Sequence, residues 1–334
     1  MLASEDDRSI PEVGAGAATR LSDDTSVLAV VGPLNSSVAE QAAPILDQRK
    51  VVMISPANTD PTLTRGTDPK NTARRFGYYF RVAATDLAQG PFAAIFAYQT
   101  AGKRTAVIVH DGTAYGHDLA VGFKSRFEKL GGKVPTVETV DPQDKDFSAG
   151  LARIRRFNPD LVYFGGDYPA AARLASQAAQ QGIRVPLMGG YGIFDPAYVN
   201  LAGDAAAGDF ATAAGASPDE LPAARSFLDA YRAAGHSDPP GAYGAYAYDA
   251  ANVVIAALAK VLPARGRITD DLRAKLRQAV QDGTADGVTG PVAFDRYGDA
   301  TTRSLTVYEV KKDASGQSFW SPRQTSQISA SSWE

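Results

Sequence analysis

Apolar and polar positions alternate in blocks from the first thirty residues onward. The run VLAVVG (27–32) is followed by the polar turn GPLNSS, the amphipathic stretch VAEQAAPILDQRK, a second apolar run VVMISP and the turn ANT, ending at Thr59. Short continuous apolar runs bounded by turn residues predict buried strands, and the stretch between them has helical spacing. Two parallel strands with a crossover helix bring both C-terminal turns to one sheet edge, where open α/β sheets bind ligands. Ser36 and Ser37 lie at the predicted helix start, where hydroxyls and free N–H groups suit a carboxylate or similar anion. Ala57 to Thr59 forms a second small polar rim. Alternatively, one serine is only an N-cap and Asn58 only a turn former.

The same alternation continues along the chain. Met1 to Ala3 reads as the end of a short strand, Pro11 to Leu21 as a helix, and 60–76 as a loop around a short helix. YYFRVA (78–83) is a strand, and Thr85 or Asp86 caps a helix to about Thr100. A fresh α/β series follows: strands TAVIVHD (105–111), VPTVETV (134–140), DLVYFGG (160–166), VPLMGG (185–190) and DFATAA (209–214), separated by helices. Two sheets need two cores, so a boundary is placed near Thr85. Helices 218–234, 245–261 and 270–279 come next without an intervening strand. GPVAFDRYGDATTRSLTVYEVKK reads as strand, turn at Tyr297 to Asp299, and strand. The polar tail 313–334 is expected to be mobile.

Composition narrows the function classes. The chain has 334 residues, 44% hydrophobic and 21% charged, enough for two globular domains. A net charge of −3 with dispersed signs gives no basic stripe for nucleic acid, and no apolar run is long enough to span a bilayer. Cysteine is absent, so thiolate chemistry and disulfides are excluded. His110, His117 and His236 are the only histidines and show no HExxH spacing, which argues against a catalytic metal. There is no GxGxxG, no GxxxxGK[ST] and no GxSxG. Asp111 with His110 and His117 is the one cluster a catalyst could use, and HDGTAYGHD reads more simply as a strand end, a turn and a helix start. No enzyme activity and no cofactor are expected.

VVGPLNSS, VVMISPANTDPTLT, YYFRVAATDLAQGPFAA, AVIVHDGTAYGHDLA, KDFSAGLARI, PDLVYFGGDYPAAARLASQAAQQGI, LAGDAAAG and YAYDAANVVIAAL together resemble the leucine/isoleucine/valine-binding proteins. These are the extracytoplasmic substrate-binding subunits of branched-chain amino-acid ABC importers. The resemblance runs in order from about residue 3 to 311. It implies an α/β fold of two Rossmann-like lobes joined by three crossings and closing on a small ligand. Lobe 1 is then 1–85 plus 214–294, and lobe 2 is 86–213 plus 295–334. It implies a monomer that works with ABC permease subunits outside the cytoplasm.

The resemblance also assigns site residues. Ser36, Ala57 and Thr59 match the lobe 1 positions that hold a ligand's carboxylate and amine, and Tyr115 matches a tyrosine contributed by lobe 2. Two positions depart from the family pattern. Asp167 stands where an aromatic is frequent, and Tyr191 where an acid commonly receives the ligand's α-ammonium. A buried ammonium without a counter-charge is costly, so Asp167 is expected to supply it while Tyr191 packs on the ligand. The resemblance thus implies a solute-binding protein for an amino acid or a small amide; otherwise Asp167 merely caps the following helix, and the ligand is a non-amino-acid carboxylate or aromatic acid. A ligand-sensing regulatory domain of the same fold is the other alternative. Relative to the family, the sequence begins at what resembles the second strand, so either its start is placed too late or the chain is a truncated relative lacking the first strand and first helix; no signal peptide is read in MLASEDDRS.

Overall fold

The computed structural model describes residues 2–66, 73–214, 222–236, 240, 243–263, 267–301 and 304–327. It divides into two compact units, Met1–Thr85 with Pro218–Arg303 and Asp86–Ser217 with Ser304–Glu334.

The first unit opens with α1 (Pro11–Asp23), β1 (Ala29–Val31), α2 (Ser36–Gln48), β2 (Val52–Ser55) and β3 (Tyr79–Arg81). Pro11 starts α1 because the missing N–H and fixed φ suit a first turn. The three strands are parallel in the order β1-β2-β3, with Ala29 opposite Val52 and Met53 opposite Tyr79. Leu46, Val51, Met53, Leu63, Phe76 and Tyr79 fill the core beneath α2. Leu2 and Ala3, expected in a strand, lie outside one; Leu2 is 93% exposed and no described strand runs alongside to pair their backbone.

The chain crosses after Thr85 into the second unit: α3 (Asp86–Ile95), continued by a π-helical turn, β4 (Ala106–His110), α4 (Ala114–Lys129), β5 (Val137–Thr139), α5 (Ser148–Arg155), β6 (Leu161–Gly165), α6 (Tyr168–Gln180), β7 (Leu187–Gly189), α7 (Pro196–Ala202) and β8 (Phe210–Ala214). It returns for α8 (Pro222–Ala233), α9 (Gly244–Val261), α10 (Asp270–Gln281), β9 (Ala285–Gly287) and β10 (Gly290–Val292). Residues 218–221 of the expected helix lie outside the described residues. The hairpin of β9 and β10, of which only β10 was expected, is held by the buried Asp249 carboxylate. It accepts from Val288 N at 2.8 Å, Thr289 N at 2.9 Å and Thr289 Oγ1 at 2.5 Å.

The last crossing delivers β11 (Ser304–Lys312) and β12 (Ser318–Gln327) to the second sheet, whose order is β12-β11-β8-β7-β6-β4-β5. β4 to β8 are parallel; β11 runs antiparallel to both β8 and β12. Two expectations need correction here. The tail is not mobile over 318–327, because Trp320 stacks on Tyr198 at 5.5 Å and donates Nε1–H to Asp195 O at 3.0 Å. Residues 328–334 lie outside the described residues. Residues 295–301 belong with the first unit rather than the second, since Asp299 pairs with the fully buried Arg81 at 2.6 Å.

At the start of β8, Asp209 is buried and accepts from Leu187 N at 2.6 Å and from the Tyr198 hydroxyl. Burial dominates and pushes its carboxyl up from 3.8 to about 8. A carboxyl raised in the folded state holds its proton there after the unfolded chain has lost its own, so stability is full below about pH 4 and lost as pH rises to about 8. The slope approaches about 1.4 kcal/mol per pH unit. Asp209→Asn should flatten that slope between pH 5 and 8 in urea titrations; a parallel slope in the variant contradicts the assignment.

Candidate functional site

The turns at the C-terminal ends of the strands gather the candidate residues into one group on each unit. On the first unit, β1 leads through Gly32 and a cis Gly32–Pro33 bond to Asn35, the N-cap of α2, whose side chain makes no cap bond. Ser36 Oγ instead reaches across to the turn after β2, accepting from Thr59 N at 3.3 Å and Asp60 N at 3.4 Å. As an acceptor it leaves its hydroxyl proton for a ligand oxygen. Ser55 Oγ accepts from Ala57 N and Asn58 N at 3.2 and 2.9 Å and donates to Pro33 O at 3.0 Å. Asn58 is more than a turn former: fully buried, it donates Nδ2–H to Leu34 O at 2.7 Å and accepts from the Tyr79 hydroxyl at 3.2 Å. Ser36, Ala57 and Thr59 therefore share one rigid two-turn cradle.

Arg81 lies beneath that cradle. Its Nη1 donates to Asp60 O at 2.6 Å and Asn58 O at 3.3 Å, Nη2 to Thr64 Oγ1 at 2.6 Å, and Nε to Asp299 Oδ1 at 2.6 Å. Arg81 had no role in the sequence reading, although a charge inside apolar YYFRVA is itself a signal, because a charge in a buried strand needs partners.

On the second unit, the turns after β4, β6 and β7 converge. Asp111 is buried at the end of β4 and accepts from Thr113 N at 3.0 Å and Thr113 Oγ1 at 2.6 Å. Thr113 in turn caps α4 through Gly116 N at 3.0 Å. Tyr115, in the first turn of α4, accepts at its hydroxyl from Gly192 N at 2.8 Å. Gly192 is forced to be small: a Cβ there meets Asp167 Oδ1 at 2.6 Å and Tyr115 Cε1 at 3.0 Å. Tyr115, Asp167 and the 190–192 turn thus meet at one point.

Asp167 occupies the N-cap position of α6, yet its side chain makes no cap hydrogen bond. Its surface is open, but the protein around it displaces enough water to push the carboxyl up from 3.8 to about 6, with the Asp111 charge adding to the shift. Tyr191 is 2% exposed, so its ring belongs mainly to the protein interior. Its N–H donates to Gln89 Oε1 at 3.1 Å, a side chain the sequence did not single out. Among the described residues no group of three or more His, Asp or Glu side chains is arranged to hold a metal.

This two-unit arrangement of parallel strands with ligand-type turns at their C-terminal ends has a match along almost the whole chain: the periplasmic binding protein family matches residues 1–317. The chain belongs to the periplasmic binding protein family. A leucine-, isoleucine-, valine-, threonine- and alanine-binding protein of Pseudomonas aeruginosa is 32% identical over 309 residues, covering 92% of this chain and 78% of that protein. The leucine-specific-binding protein of Salmonella typhimurium is 30% identical over 310 residues, covering 93% and 79%. A crystal structure of a leucine-binding protein from Thermotoga maritima superposes with a TM-score of 0.82 at 31% identity, covering 95% of this chain and 85% of that one. The resemblance read from the motifs is therefore a family relationship, and the relatives are binding proteins rather than enzymes. Among the described residues no helix of this family member is long and apolar enough to cross a membrane.

Proposed function

We propose that this protein is the extracytoplasmic solute-binding subunit of an ABC importer and takes a branched-chain or related amino acid. The cradle of Ser36, Ala57 and Thr59 receives the ligand carboxylate, with the first-turn N–H groups of α2 adding their partial charge. Asp167 receives the α-ammonium beside Tyr115, and the turn of Tyr191, whose ring packs inward, borders that half-site. A ligand engaging both half-sites stabilises whichever conformation lets both reach it. No bond is made or broken. A permease is the partner, and the working form is a monomer.

The observation that carries the amino-acid reading is Asp167, a carboxylate at a helix N-cap that satisfies no helix N–H and stands beside the turn of Tyr191. Thermal melts of the full chain with leucine, isoleucine and valine should rise, since a native-state ligand stabilises by mass action. 4-Methylpentanoate, which keeps leucine's carboxylate and side chain but lacks the amine, should give no rise. Asp167→Asn should weaken leucine by about 2–4 kcal/mol, roughly 30- to 1000-fold. The ammonium needs the ionised form of a carboxyl that titrates at about 6, so wild-type affinity should decline below that pH, and the decline should vanish in the variant. If benzoate or 4-methylpentanoate stabilises while leucine does not, and Asp167→Asn is silent, the ligand is a simple carboxylate.

A further inference from the structure

Thr85 and Asp86 mark the first crossing between the units. A few residues to either side, the chain buries a polar side chain that holds a site turn of the unit it belongs to. Before the crossing it is Arg81, with no exposed surface, whose Nη1 grips Asn58 O and Asp60 O, the carbonyls on both sides of Thr59. After the crossing it is Gln89, also with no exposed surface, whose Oε1 accepts from Tyr191 N at 3.1 Å and from Thr212 Oγ1 at 3.4 Å. Each is anchored in turn to the crossing region. Arg81 pairs with Asp299 and takes Gly298 O through its own N–H at 3.0 Å, close to the last crossing at Arg303. Gln89 donates Nε2–H to Asp86 Oδ1 at 3.2 Å, at the first residue of the second unit.

We infer that Arg81 and Gln89 are the positioning residues of the two half-sites, each fixing a ligand-facing turn to the segment where the chain changes units. Neither touches the ligand. Arg81 suits the task because a planar guanidinium can hold two carbonyls, a hydroxyl and a carboxylate at once, which a lysine ammonium cannot. Gln89 suits it because one amide offers an acceptor to the turn and a donor to Asp86. The inference rests on reading these turns as half-sites, so its test separates the two.

Amide hydrogen exchange of the ligand-free full chain reports positioning without any ligand. In Arg81→Lys, the amides of Thr59 and Asp60, bound to Ser36 Oγ, should exchange at least tenfold faster, while those of β4 stay unchanged. In Gln89→Met, which keeps the length and loses the polar atoms, the amides of Tyr191 and Gly192 should speed up similarly. Leucine affinity, measured by calorimetry, should fall about tenfold in each. If Arg81→Lys does not melt cooperatively, Thr64→Val, which keeps the guanidinium and removes the hydroxyl that accepts from Nη2 and donates to Asp299 Oδ2, replaces it in the same measurement. Unchanged exchange at these amides overturns the inference whatever the affinity does. Faster exchange with unchanged affinity supports the positioning and counts instead against the turns as leucine half-sites.

Discussion

Asp299→Ala should destabilise the first unit by about 3–5 kcal/mol, the cost of leaving a buried charge without its partner. Arg81 has no exposed surface and Asp299 is 4% exposed, so water cannot replace the lost carboxylate. The truncation removes the acceptor of Arg81 Nε at 2.6 Å and the Oδ2 partner of Thr64 Oγ1 at 3.1 Å. The same two residues also form a parallel backbone bridge between the end of β3 and the 298–299 turn. Urea unfolding followed by exchange at β2 amides measures the loss in the unit concerned. Asp299→Asn keeps an acceptor oxygen and should lose less. A loss below about 1 kcal/mol for Asp299→Ala would mean that the site is open to water, as for surface pairs.

Gly165→Ala should be as damaging to the second unit, for reasons of space rather than charge. An alanine Cβ at the end of β6 lies 2.1 Å from Gly116 O and 2.9 Å from Gly116 C. The obstacle is backbone, and it cannot swing aside like a side chain. Nor is α4 free to retreat, because Thr113 caps it at Gly116 N and is itself tied to Asp111. Overpacking of this kind costs about 3 kcal/mol or more where neither side can shift. The melting temperature of the full chain should fall, and leucine affinity with it, because displacing the first turn of α4 moves the Tyr115 hydroxyl from Gly192 N. A variant that melts and binds as the wild type would show that the two segments can separate at little cost.

Much of this architecture is legible in the sequence, because strands buried on both faces are continuous apolar runs. VMIS, AVIVH and LVYFG are strands with each residue buried, and the helices between them carry the expected spacing. What stayed hidden depends on partners distant in sequence. β12 has the composition of a polar tail, and only its pairing with β11 and the packing of Trp320 make it a strand. Asp299 sits in a turn whose local pattern carries no information about which unit it joins; its partner lies in β3. Ser36 reads locally as a cap, yet its oxygen serves the Thr59 turn. Asp167 reads locally as a cap too, and makes no cap bond. In both cases the residue type points to the right place on the fold, while its partner is set by a second turn that the first does not encode.

The pairing of β8 with β11 sets a clock on biosynthesis. The two strands end and begin at Ala214 and Ser304, so roughly 90 residues, including the whole of the returning first-unit segment, are made between them. At about 5–20 residues per second, a ribosome finishes β8 some 5–20 s before it starts β11. Throughout that interval the outer row of N–H and C=O groups on β8 has no ladder partner, the kind of edge that recruits other strands. A chain of this topology benefits from a holding chaperone that binds it as it emerges and covers the β8 edge until β11 is complete.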